Sequence, residues 1–130
     1  MPHTYEDFGF EGPEKVGKWA EKLGVPLVFN AGQYDEKLKH LGWLKSGDRW
    51  ISSHRKTQWK GLLLRGPIGH EGWSRLADLE DVTPEIIEQY EHVVQSMMLV
   101  DHDGKIRVRD SDRAACRSAI AEDAEGRLIF

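Results

Sequence analysis

Three polar residues interrupt stretches of this chain that are otherwise apolar, and each carries a group suited to binding. Asn30 closes the run Val25-Pro26-Leu27-Val28-Phe29, Gln95 sits between Val93-Val94 and Met97-Met98-Leu99-Val100, and Arg117 opens Arg117-Ser118-Ala119-Ile120-Ala121. A buried polar side chain without a partner costs about 1–3 kcal/mol. Three such interruptions in one sheet are most simply explained if Asn30, Gln95 and Arg117 line a shared pocket. The segment Asn30-Ala31-Gly32-Gln33-Tyr34 adds a second carboxamide, Gln33, and a glycine where a buried strand would deliver into a loop, a place where sheets often hold ligands. An ordinary turn, with Asn30 bonding its own backbone, accounts for the same residues. Five tryptophans offer flat faces that can stack on sugar rings. Core packing explains Trp19 and Trp59, and either role fits Trp43, Trp50 and Trp73.

Other chemistries lack their residues. The six histidines contain no His-x-x-x-His pair, and there is no Gly-x-Ser-x-Gly elbow, phosphate-binding glycine loop or dinucleotide fingerprint, so the reading is of no metal and no cofactor. The single cysteine, Cys116, rules out an internal disulfide and reads as a small buried hydrophobe. A net charge of −4, with basic residues interspersed among acids, gives no field for nucleic acid. Met1–Phe8 show no basic stretch followed by an apolar one, and no run approaches the ~20 apolar residues of a membrane span.

The 130 residues, 39% of them hydrophobic, suffice for one domain with a core. Val16, Trp19, Ala20 and Leu23 share a helical face that begins near Pro13 and ends at Gly24. Residues 25–30 read as a buried strand, and Tyr34, Leu38 and Leu41 as a short helical face. Residues 43–45 and 49–51 read as a hairpin, 59–65 as a strand, and 68–81 as an irregular surface crossing. Thr83 and Pro84 open a second helix with Ile86, Ile87 and Tyr90 inward. A strand over 93–100 turns at Asp103-Gly104 into 105–109, with Ile106 and Val108 buried together. The expected fold is α+β, a mixed and mainly antiparallel sheet with flanking helices, joining 25–30, 60–65, 93–100, 105–109 and 117–121. The final Leu128-Ile129-Phe130 lies in a strand whose apolar edge could pair with another copy, which suggests a fragment or a homo-oligomer.

Four pieces, in order and in spacing, resemble the phosphodiester glycosidase family. They are Phe29-Asn30-Ala31-Gly32-Gln33-Tyr34; Leu41-Gly42-Trp43-Leu44 with a turn at Ser46-Gly47-Asp48; Val94-Gln95-Ser96 with Leu99-Val100-Asp101; and Arg117-Ser118-Ala119-Ile120-Ala121 with Asp123 to Gly126. The family is typified by the N-acetylglucosamine-1-phosphodiester α-N-acetylglucosaminidase, and its members are often extracytoplasmic. Ala31 stands where the family has glycine, and Ser118 and Ala121 replace threonine and glycine. The family's later Asp-Gly-Gly-Gly-Ser-type loop has no counterpart here, so the resemblance implies the front part of a glycosidase domain with part of its site missing. It also implies hydrolysis of a sugar-1-phosphodiester by the complete domain, through an oxocarbenium-like transition state beside an anionic phosphate. Arg117 would take the phosphate, and Asn30, Gln33, Gln95 and Trp43 the rest of a carbohydrate or sugar-phosphate ligand. A structural ion pair with Asp112, Glu122 or Asp123 is the alternative for Arg117. A general acid or nucleophile would be a carboxylate, for which Asp35 and Asp123 are the candidates, although both fall in turns where a solvated acid is commonplace. A non-catalytic carbohydrate-binding or wall-associated module, or an inactive remnant, is the competing expectation.

Overall fold

The computed structural model describes residues 4–30, 32–37, 39–70, 72–109, 112 and 117–130. It is an α+β fold with antiparallel sheets and flanking helices. A 3-10 turn, Tyr5–Phe8, precedes helix α1, Val16–Leu23. Strands β1, Gln33–Tyr34, and β2, His40–Leu41, form a small hairpin. Then follow β3, Leu44–Ser46; β4, Arg49–Ser52; β5, Gly61–Pro67; and β6, Ser74–Asp78. Helix α2, Pro84–Glu88, leads into β7, Tyr90–Ser96, and the chain closes with β8, Ala121–Glu122, against β9, Leu128–Ile129.

The main sheet has the order β4-β3-β7-β5-β6. Its register pairs Lys45 with Val93, Leu64 with Val93, and Leu62 with both Gln95 and Ala77. Cross-strand partners share a face, so Lys45, Val93, Gln95, Leu62, Leu64 and Ala77 lie on one side of the sheet. Leu79, Val82, Ile87 and Tyr90 complete the core there with Leu62, Leu64 and Val93. Helix α2 starts as its residues predict, with Thr83 Oγ1 accepting from the Ile86 amide at 3.4 Å and proline in the first turn. Leu44, Val94, Leu63 and Leu76 line the opposite face, and Ser96 lies farther along that face. Helix α1 sits outside this core. Trp19 meets the rings of Phe8 and Phe10 edge-on, at 5.9 and 4.9 Å between centroids, and so fastens the N-terminal segment to the helix.

Several expected elements take other forms. Residues 25–30 form no strand: Val25 and Leu27 are half exposed, Pro26 has no amide to donate, and Phe29 packs on Phe130 instead, 4.8 Å between centroids. The helical face proposed around Tyr34 and Leu41 is the β1–β2 hairpin, with Leu38 outside the described residues. Asp35 drives the turn, since its Oδ1 accepts from the amides of Lys37 and Lys39 at 2.8 and 2.9 Å, local bonds that compete with a helix. Ser74–Asp78 is a strand within the stretch read as irregular. The hairpin after β7 pairs only at Val100 and Ile106, and it leaves Ile106 70% exposed, so residues 105–109 add no strand to the sheet. Residues 117–121 contribute only Ala121, which pairs with Ile129 in a separate two-stranded sheet. Cys116 lies outside the described residues.

Candidate functional site

A cleft of about 320 Å³ is lined by Asn30, Gly32, Gln33, Ser96, Arg117 and Ser118. Three separate segments build it. The residues around β1 supply two carboxamides and a glycine, the end of central strand β7 supplies a hydroxyl, and the segment before β8 supplies a guanidinium and a second hydroxyl. The lining is therefore cationic and hydrogen-bonding, with donors and acceptors suited to an anion that carries hydroxyl groups. Among the described residues that line it there is no carboxylate.

Of the residues expected to meet here, Asn30, Gln33 and Arg117 do. Gln95 does not. It is fully buried, and its carboxamide is saturated by backbone: Oε1 accepts from the amides of Trp43 and Lys56 at 3.0 and 3.1 Å, and Nε2 donates to the carbonyls of Lys56 and Trp59 at 2.7 and 2.8 Å. The polar interruption has found its partners inside the fold, where it ties the 43 and 56–59 segments to the central strand. Strand alternation then sends the next residue, Ser96, to the other face and into the cleft. That period-two step was available from the sequence, and it would have named Ser96 once Gln95 was assigned to the core. Gly32 belongs to the segment the sequence already marks as a ligand-holding turn, whereas Ser118 follows Arg117 directly and carries no signal of its own.

Gly42 is part of the Gln95 arrangement. Its φ is +92°, and a Cβ there would lie 2.9 Å from Gln95 Oε1, so both conformation and space call for glycine. Trp43 is likewise committed to the fold. Its indole Nε1 donates to the Ser53 carbonyl at 3.2 Å, the Arg55 guanidinium stands 5.5 Å from its ring, and Trp50 lies 6.1 Å away. The ring is not among the residues lining the cleft.

The two carboxylates proposed as catalytic also lie elsewhere, each closing its own turn. The Asp35 bonds are described above. Asp123 Oδ1 accepts from the amides of Glu125 and Arg127 at 3.0 and 2.8 Å, while Oδ2 takes Arg127 Nε at 2.6 Å. The Arg127 amide first, helped by the Arg127 side chain and opposed by burial, holds the Asp123 carboxyl below its ordinary pKa. Asp101 repeats the pattern, with amide bonds from Asp103 and Lys105 and a 2.7 Å bond from Arg107 Nε. The spacing from Asp to the amides two and four residues on is the same in all three turns, which identifies a structural device. Among the described residues, no group of three or more His, Cys, Asp or Glu could hold a metal ion, and no helix is long and apolar enough to cross a membrane.

Comparison with protein-family models, curated proteins and solved structures returned no match. The functional reading therefore stands on the cleft and on the residues that line it.

Proposed function

We propose that this cleft is the substrate-holding part of a phosphodiester glycosidase-type site, and that it binds a sugar-1-phosphodiester whose glycosyl–phosphate bond is hydrolysed. Arg117 takes the phosphate, Asn30 and Gln33 take sugar hydroxyls, and Ser96 and Ser118 complete the hydrogen bonding. The observation that carries this reading is the meeting of Asn30 and Gln33 with Arg117 in one cleft, from segments more than eighty positions apart in the chain. The chemistry agrees with it. The Arg117 guanidinium suits a phosphodiester anion, and carboxamides pair well with hydroxyls that both donate and accept.

A second reading, a carbohydrate-binding module without catalysis, is favoured by one observation: Asp35 and Asp123, the carboxylates expected to be catalytic, are occupied in turns away from the described lining of the cleft. One experiment separates the two. N-acetylglucosamine 1-(methyl phosphate) is incubated with the protein, binding is followed by calorimetry, and release of free sugar is followed by proton NMR. Binding with release supports the hydrolase, and binding without release supports the module. Absence of binding at millimolar concentration refutes both.

A further inference from the structure

Gly32 lines the cleft, yet it is not one of the glycines with positive φ, so its backbone conformation does not require glycine. Space does. The imidazole of His40 occupies the position of a side chain at residue 32, and a Cβ built there would lie 2.8 Å from His40 Nδ1 and closer still to Cε1. The hairpin fixes this contact, because β1 and β2 pair Gln33 with Leu41 and Tyr34 with His40. The ring also meets Tyr34 edge-on, at 6.0 Å between centroids. His40 Nε2 is buried without a hydrogen-bond partner, so the ring is placed by packing and not by a polar anchor at that atom. Burial pulls its pKa below the ordinary histidine value, against the opposing effect of the Trp43 backbone, which favours the neutral ring at pH 7.

We propose that His40 is a positioning residue of the cleft: its imidazole fills the side-chain space that Gly32 leaves, fixes the wall formed by Gly32 and Gln33, and makes the two residues a matched pair on which ligand binding depends. This rests on the reading that the cleft binds a sugar-1-phosphodiester. His40 is not itself one of the residues lining the cleft, and it acts on ligand by setting where the Gln33 carboxamide stands. A Cβ added at residue 32 would approach the ring to below 3.0 Å and force either the ring or the wall to move.

The test uses Gly32→Ala, His40→Ala and the double variant, each examined in two ways. Titration with N-acetylglucosamine 1-(methyl phosphate) should show each single variant weakened roughly tenfold, and the double variant, with the collision relieved, binding more tightly than Gly32→Ala alone. Amide NMR spectra without ligand should show the Gln33 resonances displaced in both single variants and moved back toward wild type in the double, while Leu62 and Leu64 in the core stay in place. The spectra need no ligand. If wild type fails to bind the probe, the functional reading falls, and the matched pair is still judged by Gln33. Should Gly32→Ala not fold, His40→Ala decides alone. Unchanged Gln33 resonances in His40→Ala, or effects of the two substitutions that simply add, overturn the proposal.

Discussion

Replacing Gln95 by alanine removes a side chain that makes four hydrogen bonds to backbone at three positions, Trp43, Lys56 and Trp59. Each such bond contributes about 1 kcal/mol net, and the emptied site adds a cavity term, while water entering among the part-buried partners returns some of the loss. The expected cost is therefore about 3–5 kcal/mol, a large share of the ~5–15 kcal/mol that holds a domain together. With a urea m-value near ~2 kcal/mol per molar, the unfolding midpoint should fall by about 2 M. The amides of Trp43 and Lys56 should also lose protection from hydrogen exchange, because Oε1 is the acceptor for both. Gln95→Glu is the sharper variant. An ionised carboxylate still accepts from those amides but turns an acceptor oxygen toward the carbonyls of Lys56 and Trp59 in place of a donor. Burial and those carbonyls raise its folded-state pKa, so the folded form binds the proton more tightly and stability recovers as pH falls. A midpoint shift below about 0.5 M for Gln95→Ala, or a Gln95→Glu stability that does not improve on acidification, would refute the assignment of Gln95 as the structural tie.

Gly42→Ala should cost more than the ~1 kcal/mol of an ordinary positive-φ substitution, because the new Cβ also displaces Gln95, and urea unfolding of the single and double variants should show the two sites coupled. Lys45, buried beside Trp50 with its Nζ 3.2 Å from the Glu88 carboxylate, should tolerate Lys45→Met to within about 1 kcal/mol, since Glu88 is solvent-exposed and can rehydrate, whereas Lys45→Ala should lose ~2 kcal/mol or more in the same assay. Asp7, Asp101 and Asp123 are held below their ordinary pKa first by the amides of Thr4, Lys105 and Arg127, with Arg49, Arg107 and Arg127 side chains adding to the effect. A lowered folded-state pKa gives stability that is complete above the unfolded value and lost as pH falls. Melting temperature should therefore stay level down to about pH 5 and drop below about 4, and Asp101→Asn should flatten that acid limb.

The parts of the fold legible in the sequence are those set by local chemistry. Thr83-Pro84 starts α2, Gly24 closes α1, and the 44–52 hairpin forms around Ser46-Gly47-Asp48, because caps and turns depend on a few adjacent residues. The apolar runs were less informative. Val25 to Phe29 and Ile106 to Val108 have the composition of buried strands, but composition does not say whether a neighbouring strand exists to pair with them: among the described residues Val25 to Phe29 join no strand, and Ile106 makes one isolated bridge, to Val100. Ser74–Asp78 shows the converse, a strand made by its partner β5 despite a polar sequence. In the site, Asn30, Gln33 and Arg117 could be named from the chain, whereas the fate of Gln95 depended on carbonyls and amides contributed from 36 to 52 residues away. Period-two alternation links the two outcomes, because the same strand buries Gln95 on one side and offers Ser96 on the other.

The most direct test of the cleft is a titration of wild type and Arg117→Ala with N-acetylglucosamine 1-(methyl phosphate), followed by amide NMR spectra. The account predicts saturable shifts at Asn30, Gln33, Ser96 and Ser118 in wild type. It also predicts at least ~tenfold weaker binding in Arg117→Ala, as expected for the loss of one charged contact to phosphate. Shifts confined to other residues, or equal affinity in the two proteins, would contradict it.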